Sequence, residues 1–190
     1  MSDRASPSSV GTGRLPDATP DAVRERDYSP SSCIGGNYRP FVEAYASRSA
    51  QALAAGARWL DGRYGAGAAQ RIDLCLPAAA PGAGAGLLVF IHGGYWQELA
   101  ARDSLFAAAG CVQRGLAFAA IDYTLAPAAS VGAIVAECRA ALERLAADAA
   151  LWAIDPARIV VVGSSAGAHL AAMACLPAWR RAGDCAFRPL

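Results

Sequence analysis

Ile159-Val160-Val161-Val162-Gly163-Ser164-Ser165-Ala166-Gly167 decides the fold of this chain. Four consecutive β-branched residues read as a strand. The G-x-S-x-G that follows reads as a sharp turn, and the Ala/Leu/Met stretch from about Ala166 reads as a helix. A serine flanked by glycines is common in any chain. Here the strand before it and the helix after it supply the strand–turn–helix context in which a serine is held at the tip of a tight bend. Gly163 and Gly167 carry no Cβ, so strand and helix can approach closely. By spacing, Ser165 is the residue at the tip and Ser164 is only its neighbour.

Working outward, Ile134, Val135, Cys138, Leu142 and Leu145 mark an amphipathic helix, preceded by an apolar run from Leu116 to Ile121. Residues 103–114 read as a further helix, and Leu87–Ile91 as another buried strand. Arg71–Leu76 alternates polar and apolar and stops at Pro77, which predicts a half-buried strand. The Ala/Pro/Gly segment 78–86 reads as a loop, and Asp155-Pro156 as a chain break. Apolar spacing from Phe41 to Leu60 predicts one helix. Strands alternating with helices predict an α/β fold with a mainly parallel sheet and flanking helices, its catalytic loops lying beyond the carboxyl ends of the strands. Residues 1–24 are rich in Ser, Pro, Gly, Asp and Arg and read as a disordered lead-in, leaving 25–190 as the folded domain.

Composition narrows the function classes. With 55% apolar and 17% charged residues the chain is globular, and a formal net charge of +1 gives no basis for nucleic acid or an anionic membrane as partner. No apolar run reaches the ~20 residues of a membrane span, and the polar N-terminus lacks a secretion core. Six scattered cysteines without C-x-x-C, and only two histidines, argue against a zinc site, and no cofactor is expected. They read as reduced, mostly buried thiols, which favours the cytoplasm.

His92-Gly93-Gly94-Tyr95-Trp96 follows the strand Leu87–Ile91. Attack on a carbonyl creates a tetrahedral oxyanion, and backbone N–H groups aimed at that oxygen stabilise it. Bare glycines expose such groups, so Gly93 and Gly94 are the expected donors, joined by Ala166, the residue after the nucleophile. Ser165 at a helix N-terminus also sits where the dipole favours negative charge. His92 reads as a support for the glycine loop through its own hydrogen bonds. His169, one turn after Ser165, reads as packing along its helix. Tyr95 and Trp96 fit either a lining of an acyl or aryl pocket or plain packing.

At these residues the chain resembles the kynurenine formamidase (arylformamidase) family of α/β-hydrolases. His92–Trp96 is more specific than the HGGG of hormone-sensitive-lipase-like esterases. Gly163–Leu170 looks like the family's elbow and following helix, and Tyr28-Ser29-Pro30-Ser31 and Asp73–Pro77 are similar to its N-terminal region. The resemblance covers roughly 25–190. It implies hydrolysis of N-formyl-L-kynurenine to kynurenine and formate, in tryptophan breakdown, without a metal. In that fold the order is Ser, then Asp or Glu, then His. Here 25 residues follow Ser165 (190 − 165), and they contain Asp184 but no histidine beyond His169. Asp184 comes too early for the acid. The expectation is therefore a C-terminally incomplete α/β-hydrolase, with Ile159–Val162 at an exposed edge open to self-association. A carboxylesterase acting on small aryl or acyl esters, and a catalytically inactive fragment, are the alternatives. In each active reading the partner is a small acyl or formyl-aryl substrate.

Overall fold

The computed structural model describes residues 21–54, 57–78 and 84–176. The chain divides into two units, 1–40 and 41–190. In the first, α1 (Asp21–Tyr28) leads into a short 3-10 turn, Pro30–Ile34. The Ser32 hydroxyl lies within reach of the Arg26 and Ser29 carbonyls and donates its one proton between them, tying turn to helix. The lead-in expected to reach residue 24 is thus already helical from Asp21; residues 1–20 lie outside the described residues.

The second unit is built on a five-stranded sheet: β1 (Arg58–Arg63), β2 (Arg71–Leu76), β3 (Ala85–Ile91), β4 (Ala117–Ile121) and β5 (Ile154–Gly163), in the order β1-β2-β4-β3-β5. β4, β3 and β5 are mutually parallel; β1 and β2 enter antiparallel, so the sheet is mixed. Helix α2 (Arg39–Ala54) precedes it, α3 (Ala108–Val112) joins β3 to β4 after a 3-10 turn over Ala101–Ala107, α4 (Val131–Ala147) joins β4 to β5, and α5 (Ala166–Cys175) follows β5.

The period of two along each strand splits the core into two layers. Leu87, Val89 and Ile91 share one face with Ala117, Ala119 and Ile121, under Ile134, Val135, Cys138, Leu142 and Leu145 of α4 and Leu170 of α5. Leu88, Phe90, Phe118, Ala120 and Cys75 pack on the other with Leu105, Ala108 and Cys111. The small residues of β4 matter here. Ala117, Ala119 and Ala120 are fully buried and leave room for helices on both sides of the central strands.

Three expectations shift. The helix expected through Leu60 ends at Ala54, and Arg58–Leu60 belong to β1. Alanine-rich spacing mimics a helical stripe, and pairing with β2 overrides it. The helix expected over 103–114 is a 3-10 turn followed by the short α3. The break expected at Asp155-Pro156 lies inside β5. The register slips there, Ala85 facing Ile154 and Leu87 facing Ile159, and the bulge accommodates the proline's missing N–H. β5 pairs only with β3 among the described residues, and Val160 is 44% exposed. Beside it a cavity of about 330 Å3 is lined by Leu87, Leu116, Arg158 and Val160, among others.

Among the described residues no helix is long and apolar enough to cross a membrane, and no group of three His, Cys, Asp or Glu could hold a metal. Among the described cysteines, Cys75, Cys111 and Cys138 are buried, but Cys33 is exposed.

Candidate active site

The site begins where β5 turns into α5. Ser165 has φ 52° and ψ −118°, a left-handed conformation that costs a residue with a Cβ about 1–3 kcal/mol. The turn is sealed by its own backbone. Gly167 N–H donates to Ser164 O at 2.8 Å and Ala168 N–H to Ser165 O at 2.9 Å. The glycines follow from closeness. A Cβ on Gly163 would collide with the Gly167 carbonyl and lie 2.6 Å from Ala168 N. One on Gly167 would strike the Ile91 carbonyl and lie 2.5 Å from His92 O. The elbow is therefore pressed onto the end of β3. Ser165 is exposed and Ala166 is buried beneath it.

β3 delivers the second half. Its last residue, Ile91, accepts from Ser164 N–H at 3.3 Å. A Cβ on Gly93 would stand 2.7 Å from Ser164 O and 3.4 Å from Ser165 Cβ, so Gly93 lies against the elbow and only glycine fits. Gly94, Tyr95 and Trp96 then take φ values of 98°, 53° and 61° in succession. The Gly94 carbonyl accepts from Gln97 N–H at 2.8 Å and Glu98 N–H at 2.9 Å, curling the loop into one turn. The expected set Ser165, Ala166 and Gly93 is thus drawn together, with Gly94 next in the loop. An uncovered serine beside a backbone bare of side chains can bring a hydroxyl and N–H donors to one carbonyl.

His92 is 1% exposed and stacked on Tyr123, centroids 4.2 Å apart and planes 7° from parallel. Its Nδ1 is 2.9 Å from Gly93 O. A carbonyl only accepts, so Nδ1 carries the proton. Nε2 lies 3.7 Å from Asp122 Oδ1 and has no hydrogen-bond donor in reach among the described residues. Burial holds the imidazole below its ordinary value, against the opposing pull of the Gly93 bond and of Asp122 and Asp103. Asp122 is itself engaged, Oδ1 accepting from Ala101 N–H at 2.6 Å.

His169 on α5 is exposed and meets Trp96 edge to face, centroids 5.4 Å apart. Trp96 also accepts from Ala126 N–H at 2.8 Å and packs against the core, whereas Tyr95 is 57% exposed. Trp96 is partly covered by the core, and Tyr95 is the more exposed of the pair. Asp184 lies outside the described residues.

Sequence reasoning passed over Tyr123. Its hydroxyl donates to His92 O at 3.0 Å, and Gly93 O lies at 3.5 Å. The signal was present, because Asp122-Tyr123 sits just beyond the carboxyl end of β4, where this class of sheet places functional residues. Behind it, Glu137 of α4 accepts from Thr124 N–H at 2.7 Å, from Thr124 Oγ1 at 2.9 Å and from Gln70 Nε2 at 3.1 Å, fixing the segment after β4.

Comparison with known proteins agrees with this geometry. The BD-FAE family model matches residues 72–184, which carry the sheet from β2 onward and both halves of the site. The kynurenine formamidase of Danio rerio is 29% identical over 152 residues, 80% of this chain and 50% of that protein. Among solved structures, a candidate thioesterase from Silicibacter sp. TM1040 superimposes with a TM-score of 0.71 at 29% identity, over 83% of this chain and 57% of that one. An esterase of Thermogutta terrifontis gives a TM-score of 0.57 at 27% identity, over 68% and 48%. The chain spans half or less of the length of the curated relatives it matches. Because the matched residues are more than half of the chain and contain the elbow and the glycine loop, this protein belongs to the BD-FAE family, on an α/β-hydrolase fold similar to the kynurenine formamidases.

Proposed function

We propose that residues 25–190 carry the nucleophile and oxyanion-binding part of a serine hydrolase whose substrate is N-formyl-L-kynurenine. The observation that carries the reading is the contact of Gly93 with the elbow, 3.4 Å from its would-be Cβ to Ser165 Cβ. The Ser165 hydroxyl attacks the formyl carbon, and the carbonyl oxygen becomes an oxyanion held by the N–H groups of Gly93, Gly94 and Ala166. Collapse expels the arylamine as kynurenine. Water then attacks the formyl-serine and releases formate. One base must take the proton from Ser165 and return it to the leaving amine.

His92 is buried and bonded to Gly93, and His169 is packed on Trp96. The reaction therefore needs a histidine and an acid that the described residues do not bring to Ser165. Reduced thiols at Cys75, Cys111 and Cys138 support a cytoplasmic setting. The side of β5 that has no strand partner among the described residues supports self-association through that edge.

Two other readings have their own support. The Thermogutta terrifontis neighbour is an esterase, which favours small aryl or acyl esters as substrates. The absence of a base among the described residues at Ser165 favours a chain that binds without turnover.

Labelling with a fluorophosphonate probe, beside turnover of N-formyl-L-kynurenine and p-nitrophenyl acetate, separates the three. The proposal expects labelling that Ser165→Ala abolishes and measurable formamidase turnover. Equal or better ester turnover without formamidase activity gives the esterase. No labelling of Ser165 gives the inactive chain.

A further inference from the structure

We propose that Tyr123 is a positioning residue: its hydroxyl, together with the His92 imidazole, orients the peptides 92–93 and 93–94 and so aims the Gly93 and Gly94 amides. The inference rests on the hydrolase reading for its purpose, but its geometry stands apart from it.

In a trans peptide the C=O and the following N–H point in opposite directions. Whatever holds a carbonyl also fixes the next amide. Tyr123 donates to His92 O at 3.0 Å, which turns the Gly93 N–H away from Tyr123. His92 Nδ1–H donates to Gly93 O at 2.9 Å, which fixes the Gly94 N–H in the same way. The two holds are linked, because the Tyr123 ring lies flat on the imidazole at 4.2 Å. Both side chains are almost wholly buried, at 2% and 1% exposure, so water does not compete for these bonds. Burial also raises the Tyr123 phenol far above its ordinary range, and its hydroxyl remains a donor at any working pH.

The loop needs such a hold. Gly94, Tyr95 and Trp96 are left-handed in succession, and two of them carry side chains that disfavour it. Glycine at 93 and 94 leaves those peptides free to flip. The bonds on His92 O and Trp96 O come from the segment after β4, which neighbours β3 in the sheet: Tyr123 holds the first and Ala126 N–H, at 2.8 Å, the second, while the bond on Gly93 O comes from His92 itself. Tyr123 touches the loop from behind and reaches no reacting atom. It acts through the amides, and it should alter the rate of the chemical step with little effect on encounter.

The test uses the 190-residue chain and three variants, Tyr123→Phe, Tyr64→Phe and Ser165→Ala. Tyr123→Phe keeps the ring on His92 and removes only the hydroxyl. Tyr64→Phe is the control: its hydroxyl donates to Asp122 O at 2.6 Å and leaves peptides 92–94 untouched. Amide 15N order parameters of Gly93 and Gly94 should fall in Tyr123→Phe from the rigid value of about 0.85 towards 0.6, and stay rigid in Tyr64→Phe. Fluorophosphonate labelling of Ser165 should slow at least tenfold in its maximal rate in Tyr123→Phe, with half-saturation unchanged, and hold its rate in Tyr64→Phe. Unchanged order parameters in Tyr123→Phe, or equal slowing in both tyrosine variants, would overturn the proposal. If Ser165→Ala labels as well as the parent, the hydrolase reading fails, and the order parameters alone still decide whether Tyr123 holds the amides.

Discussion

The elbow at Gly163–Gly167 and the glycine loop at His92–Leu99 face each other across the site, yet they are held in different ways. The elbow closes on itself. Its local bonds span three or four residues, and its glycines are required by backbone a few residues away or by the end of the adjoining strand. The loop borrows its shape. The Gly93 and Gly94 carbonyls are held from within the loop, but those of His92 and Trp96, at its two ends, are held by Tyr123 and Ala126, from a segment about thirty residues later in the chain. A strained nucleophile position can thus be written into five consecutive residues, whereas a set of aimed amides needs a partner from another strand.

That contrast can be broken most forcefully at Gly167. A Cβ there meets the backbone of Ile91 and His92, which has no flexible end to yield. Gly167→Ala should lower unfolding free energy by several kcal/mol, on the order of 4, read from the denaturant midpoint. A loss under 1 kcal/mol would mean that elbow and β3 are less tightly pressed together than the contact implies.

A smaller change of opposite sign sharpens the claim that the elbow stores its own strain. Ser165→Gly relieves a cost of about 1–3 kcal/mol, and the added freedom of glycine in the unfolded chain returns about 0.5–1. The net expectation is a gain of about 1 kcal/mol over Ser165→Ala, which keeps the Cβ. Equal stability of the two variants would remove the strain argument.

The smallest effect belongs to the loop. His92 is held neutral by burial, below the value near 6.5 that it recovers on unfolding. The unfolded chain therefore takes up the proton first as pH falls, and the contribution of the neutral ring, complete above about pH 6.5, is lost progressively below it. The melting temperature should drop between pH 7 and pH 5, and less so in His92→Gln, which keeps a donor for Gly93 O. Parallel pH profiles for the two proteins would show that His92 is not the group responsible.

By itself the sequence determined the elbow, because a β-branched strand, two glycines and a serine at fixed spacing leave the backbone one compact way to turn. It also determined the alternation of strands and helices, since the continuous apolar runs of β3 and β4 and the spacing of three and four on α4 record which faces are buried. Tertiary structure decided the rest. Arg58–Leu60 became strand through pairing with β2, despite spacing that suited a helix. Pro156 found a place inside β5 because the bulge against β3 asks no hydrogen bond of it. The bond from Tyr123 to His92 exists only because β3 and β4 lie side by side in the sheet. Contacts between residues far apart in the chain leave no local period to read, and their energy appears only once the strands have paired.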